Sequence, residues 1–215
     1  DLTKNNSPVE LVKWVKNNFS VNILVNNAGM GGSMPFNESS VGYLDAIILL
    51  NIRALALITR QMLPELKKHS IAYILNVASL AAFSPIPYKT VYPASKAFVY
   101  SFSRSLKEEL KGTSVNISVI CPGQMMTNPD TVKRIRKLGF YGKFGLLPVN
   151  KIAQIAVRSM FNGKGVIVPG ILNKVNLFII KAVPPGIRIS LFARLVRKEF
   201  KSEVRDKSPC SVSMN

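Results

Sequence analysis

Four short β-branched runs, each closed by turn residues and separated from the next by a helical pattern, constrain this chain more than any other feature. Val21-Asn22-Ile23-Leu24-Val25, Ile71 to Val77, Val115 to Ile120 and Gly165 to Val168 read as strands. Residues 8–18, the stretch from Ser39 or Ser40 to about Lys68, residues 93–111 and Lys151 to Phe161 carry apolar positions at helical spacing. Strands alternating with helices in this way build an α/β domain around a parallel sheet. In such sheets ligands bind beyond the carboxyl ends of the strands, so the residues that follow each run are where chemistry is expected. The long central helix should be locally distorted at Pro64, and the Pro-broken connection from Leu80 to Val91 should be a loop.

The run ending at Val77 leads into the most informative stretch, Leu75 to Lys96 (LNVASLAAFSPIPYKTVYPASK). Ser79 stands at the carboxyl end of the strand. Tyr92 and Lys96 lie four places apart at the start of a helix, which puts phenol and ammonium on one face. A nearby ammonium favours the phenolate and lowers a tyrosine's pKa from about 10. Tyr92 is then a candidate proton donor or acceptor for a carbonyl/alcohol pair, and Ser79 can hydrogen-bond the same oxygen. A Tyr–Lys spacing of this kind also arises by chance on ordinary surfaces, but three other signals accompany it in order. Asn26-Asn27-Ala28-Gly29 ends the first strand, Asn51 is a polar residue inside the long apolar helix, and Pro122-Gly123 with Thr127 follows the third strand.

Together these motifs resemble the classical short-chain dehydrogenase/reductase family, over the chain from Asp1 to about Gly170. The resemblance implies a Rossmann-like, doubly wound parallel sheet. It implies hydride transfer between NADP or NAD (NADP slightly favoured) and a carbonyl or alcohol substrate. Tyr92 would handle the proton, with Lys96 lowering its pKa and holding the ribose. Ser79 would fix the substrate oxygen, and the backbone of Asn51 would position a water that relays protons. The Asn-Asn-Ala-Gly segment would support the sheet and line the cofactor, which assigns Asn26, Asn27, Ala28 and Gly29 to it. Pro122 and Gly123 would pass the nicotinamide, and Thr127 would bond its carboxamide. Asp1 would bond the adenine amino group. Substrate contacts are expected at Met125, Met126 and Phe140, in or beside a basic, irregular stretch from Asn128 to Leu147.

The family's Gly-rich pyrophosphate turn, G-x-x-x-G-x-G, has no counterpart in this sequence. Asp1-Leu2 resembles the pair that follows the family's third strand. The expectation is therefore an N-terminally truncated domain over residues 1–170, lacking its first strands and Gly-rich loop, with roughly 60 residues absent. Residues 171–201 read as an apolar and basic helical extension and 202–215 as a disordered tail.

Composition narrows the partners. Of 215 residues 47% are hydrophobic and 19% charged, enough apolar material for one sizeable core. There are 29 Lys and Arg against 11 Asp and Glu, a formal charge of +18. Without a basic-aromatic or zinc-ligand signature, nucleic acid is not the expected partner. Cys121 and Cys210 suggest no disulfide framework and fit a reducing compartment, hence a cytoplasmic protein. The lone His69 lacks metal-ligand spacing, so no metal is expected. Residues 187–201 alternate Leu191, Phe192, Leu195, Val196 and Phe200 with basic residues, and peripheral membrane contact through them is a further expectation, as is a homo-oligomer. Met125, Met126 and the apolar tail favour a hydrophobic substrate such as a long-chain oxoacyl or sterol-like ketone. A non-catalytic relative that kept the fold, or a membrane-surface protein acting through its basic tail, are the alternatives.

Overall fold

The computed structural model of this protein describes residues 1–125, 145–191 and 193–194. The expected strands form, β3 at its expected bounds and the others shortened: β1 (Ile23–Asn26), β2 (Ala72–Val77), β3 (Val115–Ile120) and β4 (Val166–Ile167). They lie side by side in chain order, all parallel, with Ile23 opposite Tyr73, Ala72 opposite Val115 and Val119 opposite Val166. A parallel pair needs a crossover, and here a helix supplies each one. Ahead of β1 runs α1 (Ser7–Asn18), with Pro8 in its first turn, where the missing N–H costs nothing.

One long helix, α2 (Val41–Leu66), joins β1 to β2. The Ser40 hydroxyl caps it, accepting from the Tyr43 N–H at 3.2 Å. Its distortion is not where Pro64 led us to expect it. Pro64 sits inside the helix near its end, whereas Leu49–Ala54 is wound as a π-helical segment centred on Asn51 and Ile52. A proline close to a C-terminus removes one ladder bond in a turn that frays anyway. By length and composition α2 could cross a membrane. In this fold Ile47, Ala54, Ile58, Met62 and Leu66 are instead buried in the domain.

The Leu80–Val91 connection contains one short 3-10 turn, Leu80–Phe83, rather than loop throughout; Ser79 caps it. After it come α3 (Val91–Glu109), α4 (Val149–Phe161) and α5 (Ile171–Ala182).

Strand side chains alternate between two layers, as pleating dictates. Ala72, Ile74, Val115 and Ile117 pack with Val12 of α1 and Ile58, Met62 and Leu66 of α2. Leu75 and Ile120 turn the other way, onto Ile152, Ala156 and Met160 of α4. Helices therefore cover both faces, which is the doubly wound arrangement. A third cluster closes the carboxyl edge, where Leu55, Val99 and Val119 meet Ala78, Leu80 and Cys121, with Leu177 of α5 against them.

Candidate active site

Three strands and two helices contribute to the carboxyl edge of the sheet. Residues 27–32 leave β1, Ala78 and Ser79 leave β2, and Cys121 to Met125 leave β3. From α3, Lys96 reaches this edge and donates to the Val77 carbonyl at 2.9 Å. Its Nζ lies 5.9 Å from the centre of the Tyr92 ring, so the two side chains share one space, as their spacing required. Lys96 is only 5% exposed. Burial lowers its pKa from 10.5 to about 8, the nearby Cys121 acting in the opposite sense. The Cys121 thiol is itself pushed up by burial to about 12, with Lys96 and then Lys181 opposing. Among the described residues no carboxylate pairs with Lys96; the two ion pairs are Glu65 with Lys68 and Glu108 with Lys111.

Asn51 is 1% exposed and its side-chain amide is fully engaged. Its Oδ1 accepts from the Met30 N–H, and its Nδ2 donates to the Met30 carbonyl and to Ser95 Oγ, each at 2.9 Å. Ser95 Oγ in turn donates to the Tyr92 carbonyl at 2.7 Å. The π-helical winding thus supplies an amide that ties the loop after β1 to the first turn of α3. Single-turn π segments often sit at functional sites.

The glycines of that loop explain how closely it approaches. A Cβ at Gly29 would lie 3.2 Å from both Asn51 Oδ1 and Lys96 Nζ. A Cβ at Gly31 would lie 2.8 Å from Cε2 of the Tyr92 ring, closer than real contacts allow. Asn27, Ala28 and Gly29 are exposed and so form an accessible strip along the edge. Asn26 does something else. Its Nδ2 donates to Thr59 Oγ1 and Asn76 Oδ1, and Asn76 Nδ2 donates to Ser103 Oγ. The result is a polar network knitting β1, β2, α2 and α3. Sequence reasoning missed Asn76, Thr59 and Ser103, whose only signal is polarity inside apolar runs.

Ser79 Oγ accepts from the Ala81 N–H at 3.1 Å, which leaves its own O–H to donate. Beside Tyr92 a shallow cleft is walled by Tyr43, Leu44 and Ile47 of α2, by Met34, and by residues 88–91. Its rim includes Tyr88, held at φ 65°, a left-handed conformation uncommon for a bulky residue. The Met34 N–H donates to the Tyr88 carbonyl at 2.7 Å and steadies that turn.

The remaining assignments divide. Pro122 is buried, and Gly123 backs onto Asn173, where a Cβ would fall 2.9 Å from Cγ of the amide. Met125 is partly buried against the Leu75–Ile152 cluster. The Asp1 carboxylate caps its own turn, accepting from the Thr3 N–H at 3.0 Å and Thr3 Oγ1 at 2.9 Å. Met126, Thr127 and Phe140 lie outside the described residues, as do Cys210, Phe192 and residues 195–201.

A family model described as short chain dehydrogenase matches residues 1–137. Ketoacyl reductase HetN of Nostoc sp. is 36% identical over 112 residues, 52% of this chain and 39% of that protein. The NADP-dependent 3-hydroxy acid dehydrogenase YdfG of Escherichia coli is 38% identical over 105 residues, 48% of this chain and 42% of that protein. Among solved structures, a short-chain dehydrogenase from Sphingobium yanoikuyae in complex with NADPH has a TM-score of 0.69 at 20% identity. That alignment covers 98% of this chain and 76% of that one and speaks to fold. This chain spans about half the length of the curated relatives it matches. With four parallel strands, a Tyr92–Lys96 pair at their carboxyl edge and a family match over well more than half its residues, the chain belongs to the short chain dehydrogenase family.

Proposed function

We propose that this chain carries the catalytic half of an oxidoreductase that transfers a hydride between NAD(P)(H) and a hydrophobic carbonyl or alcohol. The observation that carries the reading is Lys96, a buried ammonium facing Tyr92 with no carboxylate partner among the described residues. Burying an unpaired charge is costly, and a fold that does so gains from it elsewhere. A phenolate forming at Tyr92 is the anion that this ammonium is placed to stabilise.

The nicotinamide-ribose end of a dinucleotide fits the residues present. The exposed strip 27–29 runs beside Lys96, and the Tyr92 ring lies against Gly31, so a flat group laid along the strip would meet both side chains. The pyrophosphate end, which needs a Gly-rich turn at a helix N-terminus, finds no such turn in the 215-residue sequence. When bound, the nicotinamide supplies or takes the hydride. Tyr92 gives or takes the proton at its hydroxyl, and Lys96 stabilises the phenolate and reaches the ribose. Ser79 donates its free O–H to the substrate oxygen. The side chain of Asn51 is committed to Met30 and Ser95, so its part is to fix the first turn of α3 and to offer its backbone to a relaying water. Thr127 is assigned to the carboxamide on its place after Pro122-Gly123. An NADP-dependent relative supports NADP as the cofactor to try first, NADH being the alternative, and a ketoacyl reductase relative supports an oxoacyl substrate. The buried free thiol of Cys121 suits a reducing cytoplasm.

The test is turnover by the protein expressed from its natural gene, with NADPH and NADH against 3-oxoacyl esters and bulky cyclic ketones. The expected result is cofactor oxidation that falls by about 10²–10⁴-fold in Tyr92→Phe while thermal unfolding is unchanged. Failure to turn over any carbonyl, or full activity in Y92F, overturns the reading.

A further inference from the structure

Helix α5 (Ile171–Ala182) has two faces of one character. One face buries Ile180 and Asn173 and lays Leu177 on the Leu80–Cys121 cluster. The opposite face carries Ile171, Leu172, Val175, Phe178 and Ile179, at positions i, i+1, i+4, i+7 and i+8, which share one side of a helix. These five are 78%, 50%, 45%, 74% and 50% exposed. A helix lying on a water-soluble domain ordinarily turns charged and polar residues outward. This one turns out an apolar stripe with no polar side chain in it.

The surroundings are one-signed. Lys174 and Lys181 border the stripe along one side, both exposed. Every charged residue from Lys133 to Lys198 is basic, since no Asp or Glu lies between Asp130 and Glu199. The two ion pairs among the described residues, Glu65–Lys68 and Glu108–Lys111, are on other elements. The helix is also firmly seated. Arg188 Nη1 donates to the Phe83 carbonyl at 3.0 Å and to that of Ile180, and Lys181 lies over the Phe83 ring at 5.5 Å.

We infer that this outward face of α5 docks on an anionic lipid bilayer. Its apolar side chains enter the boundary between headgroups and acyl chains while Lys174 and the neighbouring basic residues meet lipid phosphates. The sign of the charge decides between occupants. A second copy of this chain would bring two basic borders together, whereas an anionic surface complements them. The contact is centred on residues 171–182, upstream of the 187–201 stretch that the sequence suggested; exposed Ile187 and Leu191 extend the apolar surface past Pro184. Because α5 rests on the Leu80–Phe83 turn that follows Ser79, docking would hold the carboxyl edge near the lipid. The inference stands whether or not the chain is an oxidoreductase.

The experiment is co-sedimentation of the full 215-residue chain with vesicles of equal parts phosphatidylcholine and phosphatidylglycerol, against phosphatidylcholine alone. Binding to the anionic vesicles only, weakening as salt is raised, is the expected result. Phe178→Asp with Ile179→Asp should reduce it at least tenfold without altering the unfolding transition, since both side chains are exposed. Lys174→Gln with Lys181→Gln should weaken binding and flatten its salt dependence. No binding to anionic vesicles, or equal binding by the double-Asp variant, overturns the inference. So does a wild-type dimer in sedimentation velocity that the double-Asp variant makes monomeric with vesicle binding unchanged, which would assign the face to a second copy.

Discussion

Lys96 and Cys121 face each other across the carboxyl edge, and burial drives them in opposite directions. A lysine whose folded pKa is lowered from 10.5 to about 8 binds its proton less readily folded than unfolded. Stability therefore rises with pH from about 8 towards 10.5, by on the order of 3 kcal/mol in full. A thiol raised from 9.0 to about 12 works the other way, because above pH 9 the unfolded chain loses a proton that the folded one keeps. The sum is a rise between pH 8 and 9 that levels off or reverses above it. Urea midpoints across this range should show that shape. Lys96→Met should abolish the rise and leave only the fall, and Cys121→Ala should prolong the rise. At pH 7 K96M should be more stable than wild type by about 1–2 kcal/mol, the relief of a buried charge less the donor lost to the Val77 carbonyl. A less stable K96M would mean that the ammonium is structural, and would remove the main support for catalysis.

At the scale of elements, local spacing was legible in the sequence and long-range closure was not. Tyr92 and Lys96 could be placed together because i and i+4 on a helix need no knowledge of the rest of the fold. Strand positions followed from β-branched runs and Ser79 from the rule for carboxyl ends, while Gly123 came from the family resemblance. The π-helical winding at Leu49–Ala54 left no trace, since it changes the period of a helix whose apolar residues fit either winding. Pro64 drew attention to the wrong turn. The partners of Asn26 and Asn76 stand up to 50 residues away, so their network becomes visible only when the sheet is assembled. The loop after β1 shows the same limit, for its glycines read as a turn, yet Gly31 is bare because the Tyr92 ring lies against it. Gly31→Ala should displace that ring and lower turnover by about 10²-fold, the cost of misplacing a reacting group by about an ångström. Gly29→Ala, with 3.2 Å to its neighbours, should cost less. Activities of the two variants at equal unfolding temperature test this; equal losses would show that the approach to Tyr92 is not what matters. Asn51→Ala would orphan the Met30 N–H and lower stability by about 1–3 kcal/mol, read from urea midpoints.

The whole molecule has a large positive charge and, among the described residues, an apolar sheet edge at β1, and the two compete. β1 pairs with β2 on one side, and Ile23 and Val25 are 38% and 48% exposed. An open, apolar edge strand is a template for another chain. A formal charge of +18 keeps copies apart, but only over a Debye length, which shrinks from about 20 Å to about 6 Å as salt rises from about 20 mM to about 300 mM. The 215-residue chain should therefore be dispersed at low salt and associate as salt is added. Val25→Lys, which puts a charge on the edge itself, should suppress that association, while the double-Asp variant of α5 should not. Light scattering that stays flat across the salt series would show that the edge is not adhesive. The same edge bears on the cofactor. In an open α/β sheet a dinucleotide spans the crevice where strand order reverses, and these four strands run in one direction of order only. With the Tyr92–Lys96 end alone to hold it, NADPH should bind the 215-residue chain more weakly than micromolar, because helix N-terminal N–H groups at the pyrophosphate supply much of such a site's affinity. Fluorescence titration with NADPH measures this directly. A micromolar constant would mean that the residues after β1 grip the nucleotide by themselves, and the division of labour argued here between a chemical end and a phosphate end would have to be abandoned.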